Sequence, residues 1–303
     1  MPKTVLALIA AVVCLALLSS CSQKGDEMQT TGASEPISSV SQTTAAEHTQ
    51  TTRESLSSET AAPSETSDAG TAGQTGSGTI PSTPAEIVRF FNEAANRVKQ
   101  ARPGYTVTFK AGADKNNITV SDNVPFHSFI ASSAASAVNS SKKEPVIVAK
   151  GVSHDDFPVK GQPWASTLDP AALVSAVLND KGAYYEIKLE FKDEKLNALP
   201  AKNNTAAHGK AFSLLLDEDF RKEFGGFNTK FMGINIRVDN QKFEPTYQGS
   251  TITCKIDKAG NMLSAVYYLN TSSDVEMLVK VNSKDHLIGI KLAYSMTETY
   301  TFG

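Results

Sequence analysis

The chain has 303 residues, a formal net charge of −3, 40% hydrophobic residues and 20% charged residues. That balance excludes a strongly basic nucleic-acid binder and a strongly acidic chain, and the length suits one large domain or two small ones.

Lys3 is followed by Val5 to Leu18 with no intervening charge, and the run closes on Leu18-Ser19-Ser20-Cys21. A charged n-region followed by a short apolar h-region is the pattern of an export signal. The run is shorter than the roughly 20 residues that a membrane-crossing helix needs. Small residues followed by Cys at its end resemble the bacterial lipobox. The resemblance implies diacylglyceryl thioether modification of Cys21, cleavage just before it, and a mature chain beginning there. Residues 1–20 then form a lipoprotein signal peptide, and the protein is expected at the bacterial cell membrane, lipid-anchored, with its domain on the extracytoplasmic face of the envelope. A palmitate-type anchor of two chains holds stably where one binds only marginally.

Residues 22–83 contain 25 Ser or Thr, no aromatic residue, and eight acids against Lys24 and Arg53. Such a segment cannot bury enough apolar surface to offset its conformational entropy. Residues 21–83 therefore read as a disordered linker, a self-repelling tether with a typical reach of about 45 Å. A glycosylated stalk is the alternative that Ser/Thr and Pro allow.

Residues 84–303 carry the expected globular α+β domain, mainly an antiparallel sheet with a C-terminal meander, packed with two to four helices. Thr83, Pro84 and Glu86 form a capping box. After them Ile87, Phe90, Phe91, Ala94, Ala95, Val98 and Ala101 recur at helical spacing up to the stop at Pro103-Gly104. Tyr105–Lys110 reads as a strand, with 118–121 as its hairpin partner. The Ala/Ser-rich stretch 126–138 reads as a helix, and Val146–Val148 as a short buried strand. Residues 151–168 look irregular around Trp164. Asp169-Pro170 opens an expected second helix with Leu173, Val174, Val177 and Leu178 as its stripe.

Tyr185, Ile187, Leu189 and Phe191 alternate with charged residues, which predicts a strand with one wet face. Helices are expected over 206–216 and 218–224. After Gly226 the pattern turns to strands at 234–239, 251–257, 263–270, 274–281, 287–293 and 298–302. Pro84–Val88 and Pro170–Val174 echo each other, each followed by a Tyr-led strand. A division into two small domains near Gly161 is the alternative architecture. The order of elements is similar to the lipoprotein-carrier type of bacterial lipoprotein, a curved, unclosed sheet covered by helices. That resemblance implies an apolar hollow for an acyl-chain ligand.

Chemistry-bearing motifs are sparse. There is no His-Glu-x-x-His, no Gly-x-Ser-x-Gly, no phosphate loop and no dinucleotide fingerprint. Ser140–Lys143 and Ser121-Asp122-Asn123 match short strings of penicillin-binding enzymes, but in reversed order and without Lys-Thr-Gly. His154-Asp155-Asp156 is the best metal-like cluster, yet adjacent residues rarely converge on one ion, so a solvated loop is expected and no metal or cofactor is assigned. His127, His208 and His286 read as isolated, and Asp217-Glu218-Asp219 as a helix start. Cys254, in a strand pattern, reads as a small hydrophobe rather than a nucleophile. Tyr184-Tyr185 and Tyr267-Tyr268 each place one ring on either face of a strand, with one of each pair in the core.

The reading that follows is a non-catalytic binding module for a lipid or other amphiphilic ligand, held at the membrane through Cys21. The alternative is an envelope interaction, adhesion or sensor protein that binds cell-wall glycan or another protein. A hydrolase is a third possibility without a motif behind it.

Overall fold

The computed structural model describes residues 80–121, 127–140, 144–154, 157–159, 165–202, 205–224, 228–231, 234–281 and 284–303. In chain order the elements are α1 (Pro84–Ala101), β1 (Tyr105–Gly112), a 3-10 turn (Lys115–Asn117), β2 (Ile118–Val120), α2 (His127–Ser140), β3 (Val146–Val148), a second 3-10 turn (Pro170–Ala172), β4 (Leu173–Asp180), β5 (Tyr184–Phe191) and β6 (Glu194–Lys195). A third 3-10 turn (His208–Lys210), α3 (Asp217–Phe224), β7 (Asn228–Phe231), β8 (Ile234–Tyr247), β9 (Thr251–Asp257), β10 (Met262–Val281) and β11 (Lys284–Phe302) complete it. This is a sheet-dominated α+β fold.

The eleven strands form one sheet, ordered β3-β1-β11-β10-β9-β5-β4, with β2 beside β11, β8 beside β10, and β6 and β7 against β8. Every pairing among the described residues is antiparallel. The β10–β11 hairpin is the spine. The sequence pattern suggests turns near 271–273 and 294–297, but both strands run straight through. Thr271-Ser272-Ser273 contains no Gly or Pro to force a turn. Its residues keep the alternation, with Thr271 and Ser273 buried on the same face as Ala265, Tyr267, Leu269, Val275 and Met277.

Each spine strand is flanked by a broken strand. β1 lies along Ser295–Phe302, and β2 along Ile290–Leu292. The two therefore run in one direction as successive stretches of an interrupted strand, not as the expected hairpin. The interruption is a 3-10 turn whose N-cap Asp114 accepts from the Asn116 N–H at 2.9 Å. Asn139 of α2 holds it by accepting from the Ala113 N–H and donating to the Ala113 carbonyl, at 3.0 and 2.8 Å. On the other side, β8 and β9 follow one another along β10, with a kink at 248–250. There the buried Ser250 Oγ accepts from the Asn270 N–H at 3.3 Å.

α1 forms as its signals dictate. Thr83 and Glu86 complete a capping box, and the helix ends at Arg102 in the left-handed region at φ 47°. Hydrogen bonds from the Ser82 and Thr83 backbone N–H groups pull the Glu86 carboxyl down to about 2. Ile87, Val88, Phe91, Ala94, Ala95 and Val98 enter one core with Ile187, Leu189 and Phe191 of β5 and Ile252, Cys254 and Ile256 of β9. Residues before and after Gly161 thus share a core. On the helix flank, Asn92 donates to the Leu168 carbonyl and accepts from Ser166 Oγ and the Leu168 N–H. Asn96 donates to the Ser166 carbonyl and accepts from its N–H. These two side chains, one turn apart, replace sheet bonding for an irregular segment. Arg97 donates to the Ala259 carbonyl in the β9–β10 turn.

Three expectations are corrected. Asp169 does cap, accepting from the Ala171 N–H, and Pro170 sits at N1, but only a 3-10 turn follows before β4 begins. The β-branched Val174 and Val177 favour extended backbone, and the Gly182 turn at φ 79° folds β4 back on β5. The echo between 84–88 and 170–174 thereby disappears. Residues 206–216 contain a 3-10 turn over His208–Lys210 rather than a helix. β3 is an exposed edge strand, not a buried one, with Ile147 79% exposed. Trp164 and Gly225-Gly226 lie outside the described residues.

The orientation of β4 and β5 is directly testable. Ile187 is fully buried, whereas Val174 is 65% exposed. Ile187→Ala should cost about 2–5 kcal/mol in urea unfolding, and Val174→Thr should stay within about 0.5 kcal/mol. Equal costs for the two would contradict this facing of the hairpin.

Candidate functional site

The inward face of the sheet is mostly apolar, with Thr271 and Ser273 of β10 and Glu298 of β11 as polar exceptions. In register across three strands, Tyr247 of β8 and Tyr294 of β11 flank Thr271 of β10. Glu194 of β6 lies opposite Tyr247 on the other side of β8. The segment after β6 returns over this layer and brings in His208 and Phe212. His208 is completely buried. Its ring lies nearly parallel to those of Tyr247, at 5.0 Å, and Phe212, at 5.7 Å, with Phe191 at 5.1 Å.

His208 is not isolated. Its Nδ1 donates to Glu194 Oε2 at 2.8 Å. The same carboxylate accepts from the Ala207 and His208 backbone N–H groups at 3.0 and 2.9 Å. Burial pushes the Glu194 carboxyl up, but the hydrogen bonds from the His208 ring and from these two N–H groups outweigh it, leaving the carboxyl below its ordinary value. A carboxylate on Nδ1 fixes the ring orientation.

That Nε2 atom has no partner. Neither do the buried Tyr267 OH and Thr271 Oγ1. Burial drives the Tyr267 phenol well above its ordinary value, so it stays neutral. Phe212 stands edge-on to Tyr267 at 6.1 Å. His208 thus connects by ring contacts to Tyr267, through Phe212, and to Tyr247, which stands across from Thr271; the two β10 residues lie four positions apart. Buried polar groups are nearly always hydrogen-bonded, so these three atoms, with His154 Nδ1 as a fourth elsewhere, require an explanation.

A histidine oriented by a carboxylate is half of a nucleophile-activating arrangement. Among the described residues no hydroxyl or thiol reaches Nε2. Cys254 is buried, and desolvation pushes its thiol up to about 12, which keeps it inert.

The other residues singled out by the sequence fall into place around it. His154 is buried rather than solvated: its Nε2 donates to the Pro103 carbonyl at 2.5 Å and its ring meets Tyr105 edge-on at 4.8 Å. Its Nε2 is committed to that carbonyl, while its Nδ1 is buried without a partner. Asp155 and Asp156 lie outside the described residues, and no group of three metal-ligating side chains occurs among those described. His127 begins α2 and His286 lies in β11. Asp217 in the first turn of α3 accepts from Arg221 at 2.5 Å. Ser121 latches β11, its Oγ accepting from the Gly289 N–H at 3.0 Å, while Asp122 and Asn123 are outside the described residues. The Tyr267-Tyr268 pair divides as expected, with only Tyr267 in the core, whereas Tyr184 and Tyr185 are both half-buried. Tyr267 is buried, Tyr185 meets Phe90 of α1 edge-on at 5.8 Å, and Tyr184 lies under the Lys255 ammonium at 5.2 Å. Cys21 lies outside the described residues.

No family model, curated protein or solved structure matches this chain.

The Glu194 carboxyl titrates below its ordinary value in the folded protein, so its stabilising contribution is present above that ordinary value and is lost as pH falls through the folded one. Folding stability should therefore decline on acidification, and Glu194→Gln should flatten that decline in urea titrations across the acid range while lowering stability at neutral pH. An unchanged acid slope would remove Glu194 as a contributor. Native protein at pH 8 should also leave Cys254 unalkylated by iodoacetamide, whereas urea-unfolded protein reacts.

Proposed function

We propose that this chain is a lipid-anchored, extracytoplasmic binding module that takes an amphiphilic ligand between the sheet and the segments covering it, without catalysing a reaction. The observation that carries the reading is the aromatic layer of the inward face, where His208 Nε2, Tyr267 OH and Thr271 Oγ1 are buried without a partner. An amphiphile suits such a place, since its tail can lie against rings and aliphatic side chains while its polar end meets the orphaned atoms. The sheet order also supports it. β3 and β4 are its two ends, and no pairing joins them among the described residues. An unclosed sheet with helices against one face is the plan of the lipoprotein-carrier type that the order of elements resembles. The anchor rests on Leu18-Ser19-Ser20-Cys21, with residues 1–20 as the signal and 21–83 as the tether.

A second reading, adhesion to envelope glycan, draws on the opposite face. There Thr106 and Thr108 of β1 stand directly across from Thr301 and Thr299 of β11, in a sheet face rich in hydroxyls. Repeated hydroxyls on a flat surface suit polysaccharide hydrogen bonding.

Three measurements on the full-length chain separate these ideas. Palmitate labelling should mark the wild type and not Cys21→Ser, which should also leave the membrane fraction; labelling of both would remove the anchor. Native mass spectrometry of protein extracted from membranes should retain an amphiphile mass. A ligand-free spectrum together with sedimentation on isolated peptidoglycan would favour the second reading.

A further inference from the structure

We infer that an uncharged field of hydroxyls on the open face of the sheet is a docking platform for an uncharged, linear β-1,4-linked polysaccharide. The inference rests on the second reading above and adds the residues of the platform and the class of glycan.

Strand register fixes the field. Across β1, β11, β10 and β9, Thr108, Thr299, Val266 and Thr253 stand in one row. On one side of it Thr106, Thr301 and Ser264 form a second row, which ends at Lys255. On the other side Thr297, Tyr268 and Thr251 form a third, which begins at Lys110. Alternation turns the intervening residues, such as Tyr300, Tyr267 and Cys254, into the core, whereas no residue of the three rows is buried. With strands about 4.8 Å apart and alternate residues about 6.7 Å apart, the field spans about 14 Å across the strands and about 13 Å along them. Between the two corner lysines every residue is uncharged, and all but Val266 carry a hydroxyl. The Lys255 ammonium sits over the Tyr184 ring on the β5 side, 5.2 Å from its centre.

Strand propensity alone does not explain this grouping. Threonine suits any wet strand face, yet the same face changes character at the borders of the field. β5 sets Glu186, Lys188 and Glu190 beside Lys255, Thr253 and Thr251. Further along the spine, Asp274 faces Lys291 on one side and Glu244 on the other. Charge is what ordinarily keeps a surface soluble and free of partners, and here it stops at the edge of the hydroxyl rows. A charged polymer finds no counter-charge within them, whereas each hydroxyl can both donate and accept. A β-1,4-linked chain is a flat ribbon, with hydroxyls along its edges and C–H groups on its faces. The threonine rows answer the edges, and Tyr268, between Thr297 and Thr251, gives the C–H face a ring to lie on. Water competes for each of these contacts, so binding needs several of them at once.

The test is sedimentation of the full-length protein in lipid nanodiscs, with empty discs as the control, on insoluble cellulose, carboxymethyl-cellulose and isolated peptidoglycan. High salt is used throughout to suppress ion exchange. Cellulose should carry the protein down, and carboxymethyl-cellulose at least tenfold less. Tyr268→Val, and Thr108→Val combined with Thr299→Val, should each weaken cellulose binding about tenfold. Valine keeps the strand propensity at all three positions, so melting temperatures without glycan should hold and weakened binding is not explained by misfolding. Glu276→Gln, on the same face beyond the field, should change nothing. Cellulose binding that the valine variants leave intact would overturn the assigned platform, and equal binding of carboxymethyl-cellulose would overturn the selection against charge. Sedimentation on peptidoglycan without any on cellulose would overturn the inference and leave the second reading standing. Binding to neither would overturn both.

Discussion

The fold depends on a two-residue alternation along the β10–β11 hairpin, unbroken on β10 and interrupted on β11 only at Glu298 among the described residues. From Ala265 to Met277 every second residue of β10 is buried. β11 answers from the partner side with Ile288, Ile290, Leu292, Tyr294, Met296 and Tyr300. A one-residue slip would turn this whole set to water, so the register is fixed by burial along the full length of both strands. The flanking elements then have little freedom. β1 and β2 dock end to end along one outer edge of the hairpin, β8 and β9 along the other, and α1 and the 206–216 segment cover the face that the alternation makes apolar. The interruptions in the flanking strands are absorbed locally, by Asn139 on Ala113 and by Ser250 on Asn270, without disturbing the spine.

What could be read from the sequence follows the same physics. α1 was legible to its first residue because its signals are local: Thr83, Pro84 and Glu86 need only each other. β5 was legible because Ile187, Leu189 and Phe191 alternate with charges that require water. β4 was misread as a helix because its decisive partner is not local. Asp169-Pro170 genuinely starts a turn, but pairing with β5 prevails over helix continuation once Gly182 reverses the chain. The break expected in β10 falls at Thr271-Ser272-Ser273 and that in β11 at Tyr294-Ser295-Met296-Thr297, where the apolar pattern is interrupted. Threonine tolerates a strand, and a serine facing the core costs little when only one or two occur. The Glu194–His208 pair was invisible for a different reason. The two lie fourteen positions apart, and no periodic pattern in the sequence marks such a contact.

The molecule contains two kinds of buried polar cluster, and their contrast is informative. Around Ser166, every group is answered: Asn92 and Asn96 exchange hydrogen bonds with the backbone of 166 and 168 and with the serine hydroxyl. That cluster does what secondary structure does elsewhere and needs nothing more. Around His208 the first contacts are equally well made, with a carboxylate and two backbone groups locked together, yet the outward-looking atoms of the same layer are left unanswered. Its ring is held by Glu194 and by stacking on Tyr247 and Phe212, while its other nitrogen has no partner.

The distribution of that cost separates the two faces of the sheet. On the solvent face, charges are matched across strands. Lys291 sits opposite Asp274 at 4.0 Å, and Glu244 draws Lys195 and Lys242 to 3.4 and 3.3 Å. Exposed pairs of this kind are screened, add little stability, and leave no group wanting a partner. The helix-covered face has the reverse character, with strong desolvation and unmet hydrogen-bonding capacity in one layer. Water can satisfy an exposed hydroxyl at any time, but a buried one can be satisfied only by something that enters.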